Sequence, residues 1–247
     1  MPSINLILTG FPGKSNRGYL GWSSIVLIKG EKKILFDTGS FGVRDLIIEK
    51  LKEFNLEPED IDILIISHCH WDHMANYSLF PRADYLVSKK ELDYALSDKS
   101  KGDIHVAIEM IQGLSTLRRL KVIEKDSEID HGVKILFAPG HTPGLISLLV
   151  DSPEGRYVLA SDAIKNRAEY FSGEFDITMD EKVSKETLSR LRKLSDFIIP
   201  GHDSPFRSDG TLLRPYSKEE IEIYAKFSRD PSEVTTFCLK RGIINDT

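Results

Sequence analysis

Three of the chain's seven histidines and one aspartate fall between positions 68 and 73, in Ser67-His68-Cys69-His70-Trp71-Asp72-His73. They come directly after Ile61–Ile66, an apolar, β-branched-rich run that reads as a strand buried on both faces. The fold must therefore present four metal-ligating side chains together at the end of a core strand. A metal needs several neutral imidazole or carboxylate donors converging within about 2.0–2.2 Å and arranged in advance by the protein. On a tight turn, His68 and His70 point to one centre, and Asp72 and His73 to a second.

Three more polar positions repeat the pattern. His141, Asp162 and His202 each sit a few residues beyond a strand-like run, Val133–Phe137, Tyr157–Ala160 and Phe197–Ile199. Loops held at the ends of a rigid sheet are where sites are usually built. Asp162 is placed to be the anionic ligand that two close ions share, while His141 and His202 complete one site each. Cys69 points away from its histidine neighbours in an extended chain and reads as buried packing. Asp37, in Asp37-Thr38-Gly39, reads as a buried carboxylate that hydrogen-bonds the metal loop and orients its imidazoles. His105, inside an expected helix, and His131, in the turn Asp130-His131-Gly132, read as surface residues.

The rest alternates strand and helix. Further strands are expected at Ile4–Leu8, Tyr85–Val87, Lys121–Ile123 and Leu145–Val150, and a hairpin at Ser24–Ile28 with Lys33–Phe36. Helices are expected at Val43–Phe54, whose apolar residues have helical spacing, and at Lys89–Leu96, Ile104–Leu120 and Ser184–Leu194. A last helical stretch is expected near Lys218–Phe227. No low-complexity break or repeat divides the chain, so a single α/β domain over residues 1–247 is expected. Phe11–Gly21, glycine-rich and carrying Phe11, Lys14, Arg17 and Tyr19, reads as a mobile loop bordering the site.

The net charge of −5 offers no extensive nucleic-acid surface. Two cysteines far apart, Cys69 and Cys238, make no disulfide framework. With no leader-like start and no apolar run of about 20 residues, the expectation is a cytoplasmic protein without a membrane partner.

The motifs also carry a resemblance. Ser67-His68-Cys69-His70-Trp71-Asp72-His73, Pro139-Gly140-His141-Thr142-Pro143-Gly144, Ser161-Asp162-Ala163 and Pro200-Gly201-His202 resemble, in order, the metal motifs of the metallo-β-lactamase superfamily. Asp37-Thr38-Gly39 is similar to its upstream motif. The resemblance implies an αββα four-layer sandwich with metals at one edge. It also implies that His68, His70 and His141 hold the first ion and Asp72, His73 and His202 the second, with Asp162 as the bridge. Leu79–Ala83 and Pro200–Arg207 resemble the group named metallo-β-lactamase domain-containing protein 1, whose animal members are associated with RNA cleavage. N-acyl homoserine lactonases come next, but they carry a tyrosine where this chain has Lys165.

The expected function is a hydrolase with two divalent ions, zinc first and iron or manganese as alternatives. A hydroxide bridging the ions would attack a phosphodiester or other anionic substrate, with Asp72 as the catalytic carboxylate that orients it. Lys165 would bind the substrate as a point charge. The partner is a small molecule or an oligonucleotide, and a homodimer is left open. The alternatives are a lactone or thioester hydrolase and a mononuclear iron oxidoreductase of the persulfide dioxygenase type.

Overall fold

The computed structural model describes residues 1–213, 220–226 and 234–240. Two six-stranded sheets lie face to face. In spatial order the first contains Ser3–Leu8, Ile25–Lys29, Lys33–Phe36, Ile63–Ile65, Asp84–Ser88 and Leu120–Ile123. The second contains Phe206–Arg207, Phe197–Pro200, Gly155–Ser161, Ile146–Ser152, Val133–Phe137 and Ser127–Asp130.

The alternation of side chains along each strand builds the layers. In Ile25–Lys29, Val26 and Ile28 face the second sheet, where they meet Ile135, Leu148 and Leu159. Ile25 and Leu27 turn outward and pack with Ile47, Leu51, Ile111 and Leu114 from the helices Arg44–Glu53 and Ile108–Ser115. The second sheet does the same: Val158 and Ile198 face outward onto Leu188 and Leu191 of the helix Glu181–Leu194. Three apolar interfaces between four layers make the expected αββα sandwich.

Strands Lys33–Phe36, Ile63–Ile65, Asp84–Ser88 and Leu120–Ile123 are parallel neighbours, as are Gly155–Ser161 and Phe197–Pro200. Their carboxyl ends gather at one edge, where open α/β sheets place their ligands. Asp37, Ser67, Asp162 and His202 all follow such ends.

Two expectations are corrected. The helix expected over Ile104–Leu120 is confined to Ile108–Ser115. Ahead of it the chain spends its backbone groups on the metal loop: Val106 bridges His70, and the Trp71 amide donates to the His105 carbonyl at 2.9 Å. The helical stretch expected near Lys218–Phe227 is a strand over Glu220–Lys226, paired antiparallel with Val234–Lys240, while Lys218 and Phe227 lie outside the described residues. Ile221 and Ile223 are half-buried and flank an exposed Glu222, a period of two. Ser127–Asp130 and the short helix Arg167–Ser172, capped by Asn166, were not anticipated. Among the described residues no helix is long and apolar enough to cross a membrane.

Candidate metal centre

The loop after Ile63–Ile65 turns at once into the one-turn helix Trp71–Met74. This tight reversal puts His68, His70, Asp72 and His73 around one point, where His141, Asp162 and His202 arrive from the second sheet. Among the described residues three groups of donor atoms each lie within 4.8 Å of one another: His68, His70 and His141; Asp72, His73 and His202; and His68, His73 and Asp162. The first two are the triads implied for the two ions.

The hydrogen bonds decide what these donors can hold. His141 Nδ1 donates to the Ile177 carbonyl at 2.8 Å and His202 Nδ1 to the Trp22 carbonyl at 3.1 Å. His73 Nδ1 meets Asp37 Oδ2 at 2.8 Å, and His70 Nε2 meets Asp103 Oδ2 at 3.1 Å. Carbonyls and carboxylates only accept, so each outer nitrogen carries a proton, and in the neutral ring that binds a metal the inner one presents a lone pair. Those inner nitrogens face one another, His70 Nδ1 to His141 Nε2 at 3.1 Å and His73 Nε2 to His202 Nε2 at 3.4 Å. His68 Nε2 and Asp162 Oδ1 are buried with no hydrogen-bond partner. Converging lone pairs and orphaned buried acceptors are costly unless a cation satisfies them. The donor set fits metal ions.

Asp162 stands between the triads. Its Oδ1 lies 3.2 Å from His73 Nε2 and 3.3 Å from His202 Nε2, and its Oδ2 lies 3.3 Å from His141 Nε2. One oxygen faces each side. A Cβ at Gly201 would come within 2.2 Å of Asp162 Oδ1, so only glycine at that place lets the carboxylate sit there. The electrostatics divide along the same line. Burial lowers His68 well below the usual histidine range and His141 to about 3. Burial opposes charge on His73 and His202 too, but the carboxylates around them together raise both, Asp162 foremost, with Asp37 and Asp72 adding to the pull on His73 and Asp72 to that on His202.

A family model for the metallo-beta-lactamase superfamily matches residues 18–202. The chain belongs to that superfamily. As a member it is a metal-dependent hydrolase. It is 30% identical to the probable metallo-hydrolase MJ0296 of Methanocaldococcus jannaschii, over 69% of this chain and 70% of that protein. It is 29% identical to metallo-beta-lactamase domain-containing protein 1 of Xenopus laevis, over 83% and 81%. The structure of a B. thuringiensis AiiA variant with N-decanoyl-L-homoserine bound at its active site superposes with a TM-score of 0.63. The two are 27% identical, covering 78% of this chain and 84% of that one.

Several residues of this superfamily site stand where the sequence placed them. Asp37 accepts from the Ser67 amide and hydroxyl, both at 2.8 Å, besides its bond to His73. Cys69 is fully buried, its thiol pushed up by burial, and its amide rather than its sulfur reaches the Glu91 carboxylate. Phe11, Pro12, Gly13, Lys14, Tyr19 and Gly21 line the cavity above the metal centre, as expected of a bordering loop. Lys165 lines it as well, but its ammonium is held by Glu169 Oε1 at 3.0 Å and the Ile177 carbonyl at 3.2 Å.

His105 departs from expectation. Freed from any helix, it is half-buried at the cavity wall, with its ring 5.3 Å from that of His70 and 5.7 Å from that of Tyr19. Asp103 was missed altogether. It fixes the tautomer of His70 while also accepting from the Tyr94 hydroxyl at 3.0 Å and the His105 amide at 3.0 Å. Glu91 was missed too, and no motif marks either residue.

Proposed function

We propose that the chain is a two-metal hydrolase of small ester-like substrates, lactones and thioesters included. In this reading His68, His70 and His141 hold one ion, Asp72, His73 and His202 the other, and Asp162 both. The observation that carries it is the Asp162 carboxylate, which turns one oxygen to each imidazole set. Zinc suits so imidazole-rich a site, and iron or manganese fits the same ligands. Bound there, the two ions would supply a hydroxide at neutral pH and polarise the scissile oxygen.

The chain's own residues do the rest. Asp72 lines the cavity with a partly exposed side chain, placed to orient the attacking water and take its proton. Trp71 and Tyr19 meet edge to face, with ring centroids 6.0 Å apart, and close one wall against water. Asp37 and Asp103 keep His73 and His70 with their lone pairs inward.

The expectation of a phosphodiester rested on Lys165 as a point charge and on the resemblance of the Phe80-Pro81 and Pro205-Phe206 segments to the metallo-β-lactamase domain-containing protein 1 group. That charge is spent on Glu169. With Asp72 and Asp162 given to the ions, the lysine and carboxylate left among the described lining residues are Lys14, whose ammonium lies 5.1 Å from the Tyr19 ring centre, and Asp176. Relatives named N-acyl homoserine lactonase, 29% identical over 164 residues, rank a carbonyl ester first. Lys14 favours a phosphodiester as the second reading. The test compares kcat/KM for p-nitrophenyl acetate, an acyl lactone and bis(p-nitrophenyl) phosphate in the zinc-loaded protein and in Lys14→Ala. A carbonyl substrate should exceed the phosphodiester by roughly tenfold or more, and Lys14→Ala should change the better rate by less than about threefold, an exposed charge being worth about 0.5 kcal/mol. A faster phosphodiester that collapses in Lys14→Ala would reverse the order.

A further inference from the structure

Among the described residues four other than glycine have a left-handed backbone: Asp37, Asn55, Ser161 and Ile177. Asparagine adopts it readily. Asp37 and Ser161 belong to the hydrogen-bonded network under His73. Ile177, with φ of 55°, is the odd one, because a β-branched side chain is among the least tolerant of this region.

Its backbone has a clear task. The Ile177 carbonyl accepts from His141 Nδ1 and from Lys165 Nζ. Both flanks are clamped: the Asp176 amide donates to Glu169 Oε1 at 3.1 Å, and the Met179 and Asp180 amides to the Gly140 carbonyl at 3.0 Å each. The chain must reverse between these clamps. Glycine or asparagine would supply the same carbonyl with less strain, so the carbonyl does not account for isoleucine. Nor does burial, since Ile177 is 47% exposed. What remains is the cavity of about 230 Å³ over the metal centre, which Ile177 lines together with Phe11, Tyr19 and Trp71.

We propose that Ile177 is a specificity-determining residue, kept in a strained conformation because its exposed side chain forms an apolar wall for a short alkyl or acyl group of the substrate. Strain retained at a cavity of this kind points to function. The inference rests on the hydrolase reading only in calling the occupant a substrate.

The test therefore uses binding rather than turnover. Acetohydroxamate and hexanohydroxamate share a metal-chelating head and differ in the tail. Their Kd values are measured by calorimetry on the zinc-loaded wild type and on Ile177→Gly, Ile177→Asn and Ile177→Val, with zinc content and Tm alongside. The wild type is expected to prefer the longer tail by roughly tenfold, and Ile177→Gly and Ile177→Asn to lose most of that preference with zinc content intact. Ile177→Val restores it. Without probe, Ile177→Asn melts higher than the wild type and Ile177→Gly no lower. An unchanged preference in Ile177→Gly overturns the proposal, as does a wild type that binds both hydroxamates equally or neither. A fall of several degrees in the Tm of Ile177→Gly also overturns it, by making the side chain structural packing. Absence of ester turnover in a wild type that keeps the tail preference sinks the hydrolase reading alone.

Discussion

Asp162→Ala is expected to empty both metal positions and to lower kcat/KM on the best substrate by on the order of 10³-fold, about 4 kcal/mol of transition-state stabilisation. The reason is its place: one oxygen lies beside His73 and His202 and the other beside His141. Each terminal histidine serves one ion, so His202→Ala should cost one ion and leave the other with His68, His70 and His141. Elemental analysis of the two variants side by side checks this. Equal metal content in both would show that Asp162 is no more than another terminal group.

Glu91→Gln is expected to destabilise the folded chain by about 2–4 kcal/mol, roughly a 10 °C fall in Tm for a protein of this size. Glu91 is fully buried, and burial holds its carboxyl above the usual range against the donors around it. Its Oε1 accepts from the Cys69 amide at 3.0 Å, and its Oε2 accepts from the Thr142 hydroxyl at 2.7 Å and the Gly144 amide at 3.0 Å. The carboxylate thus latches the loop of His68 and His70 to the loop of His141. Glutamine has one acceptor oxygen, so its NH₂ group must face at least one of these donors in the core. Metal affinity should fall with stability, because the first triad spans the two latched loops. A Tm within a degree or two of the wild type would show that the latch contributes nothing.

The sandwich and the candidate metal cluster were legible because both are written in short, local patterns. Val26 and Ile28 alternate with Ile25 and Leu27, and that alternation assigns the two cores without knowledge of any partner. The candidate ligands crowd into motifs directly behind strands, so placing the strand places the donor. What orients the ligands was less legible. Asp37 was found because it too follows a strand end. Asp103 reaches His70 across 33 positions, from a segment that pattern alone assigned to the margin of a helix. His105 was misplaced for the same reason, since backbone pairing of Val106 with His70 is a tertiary contact that local periodicity does not register. Lys165 was seen as a cavity residue, but its charge looked free because Glu169, one turn away, belongs to a helix the sequence reading did not anticipate. Glu220–Lys226 failed differently: Ile221 with Tyr224 and Ala225 has helical spacing and Ile221 with Ile223 strand spacing, and over so short a run the strand period won.

In the proposed hydrolase two ions are held on one chain with Asp162 between them. This is tested most directly by counting metal atoms per chain in protein purified without chelator and then saturated with zinc. Two per chain are expected. One ion per chain under metal-replete conditions would contradict it and return the site to a mononuclear reading.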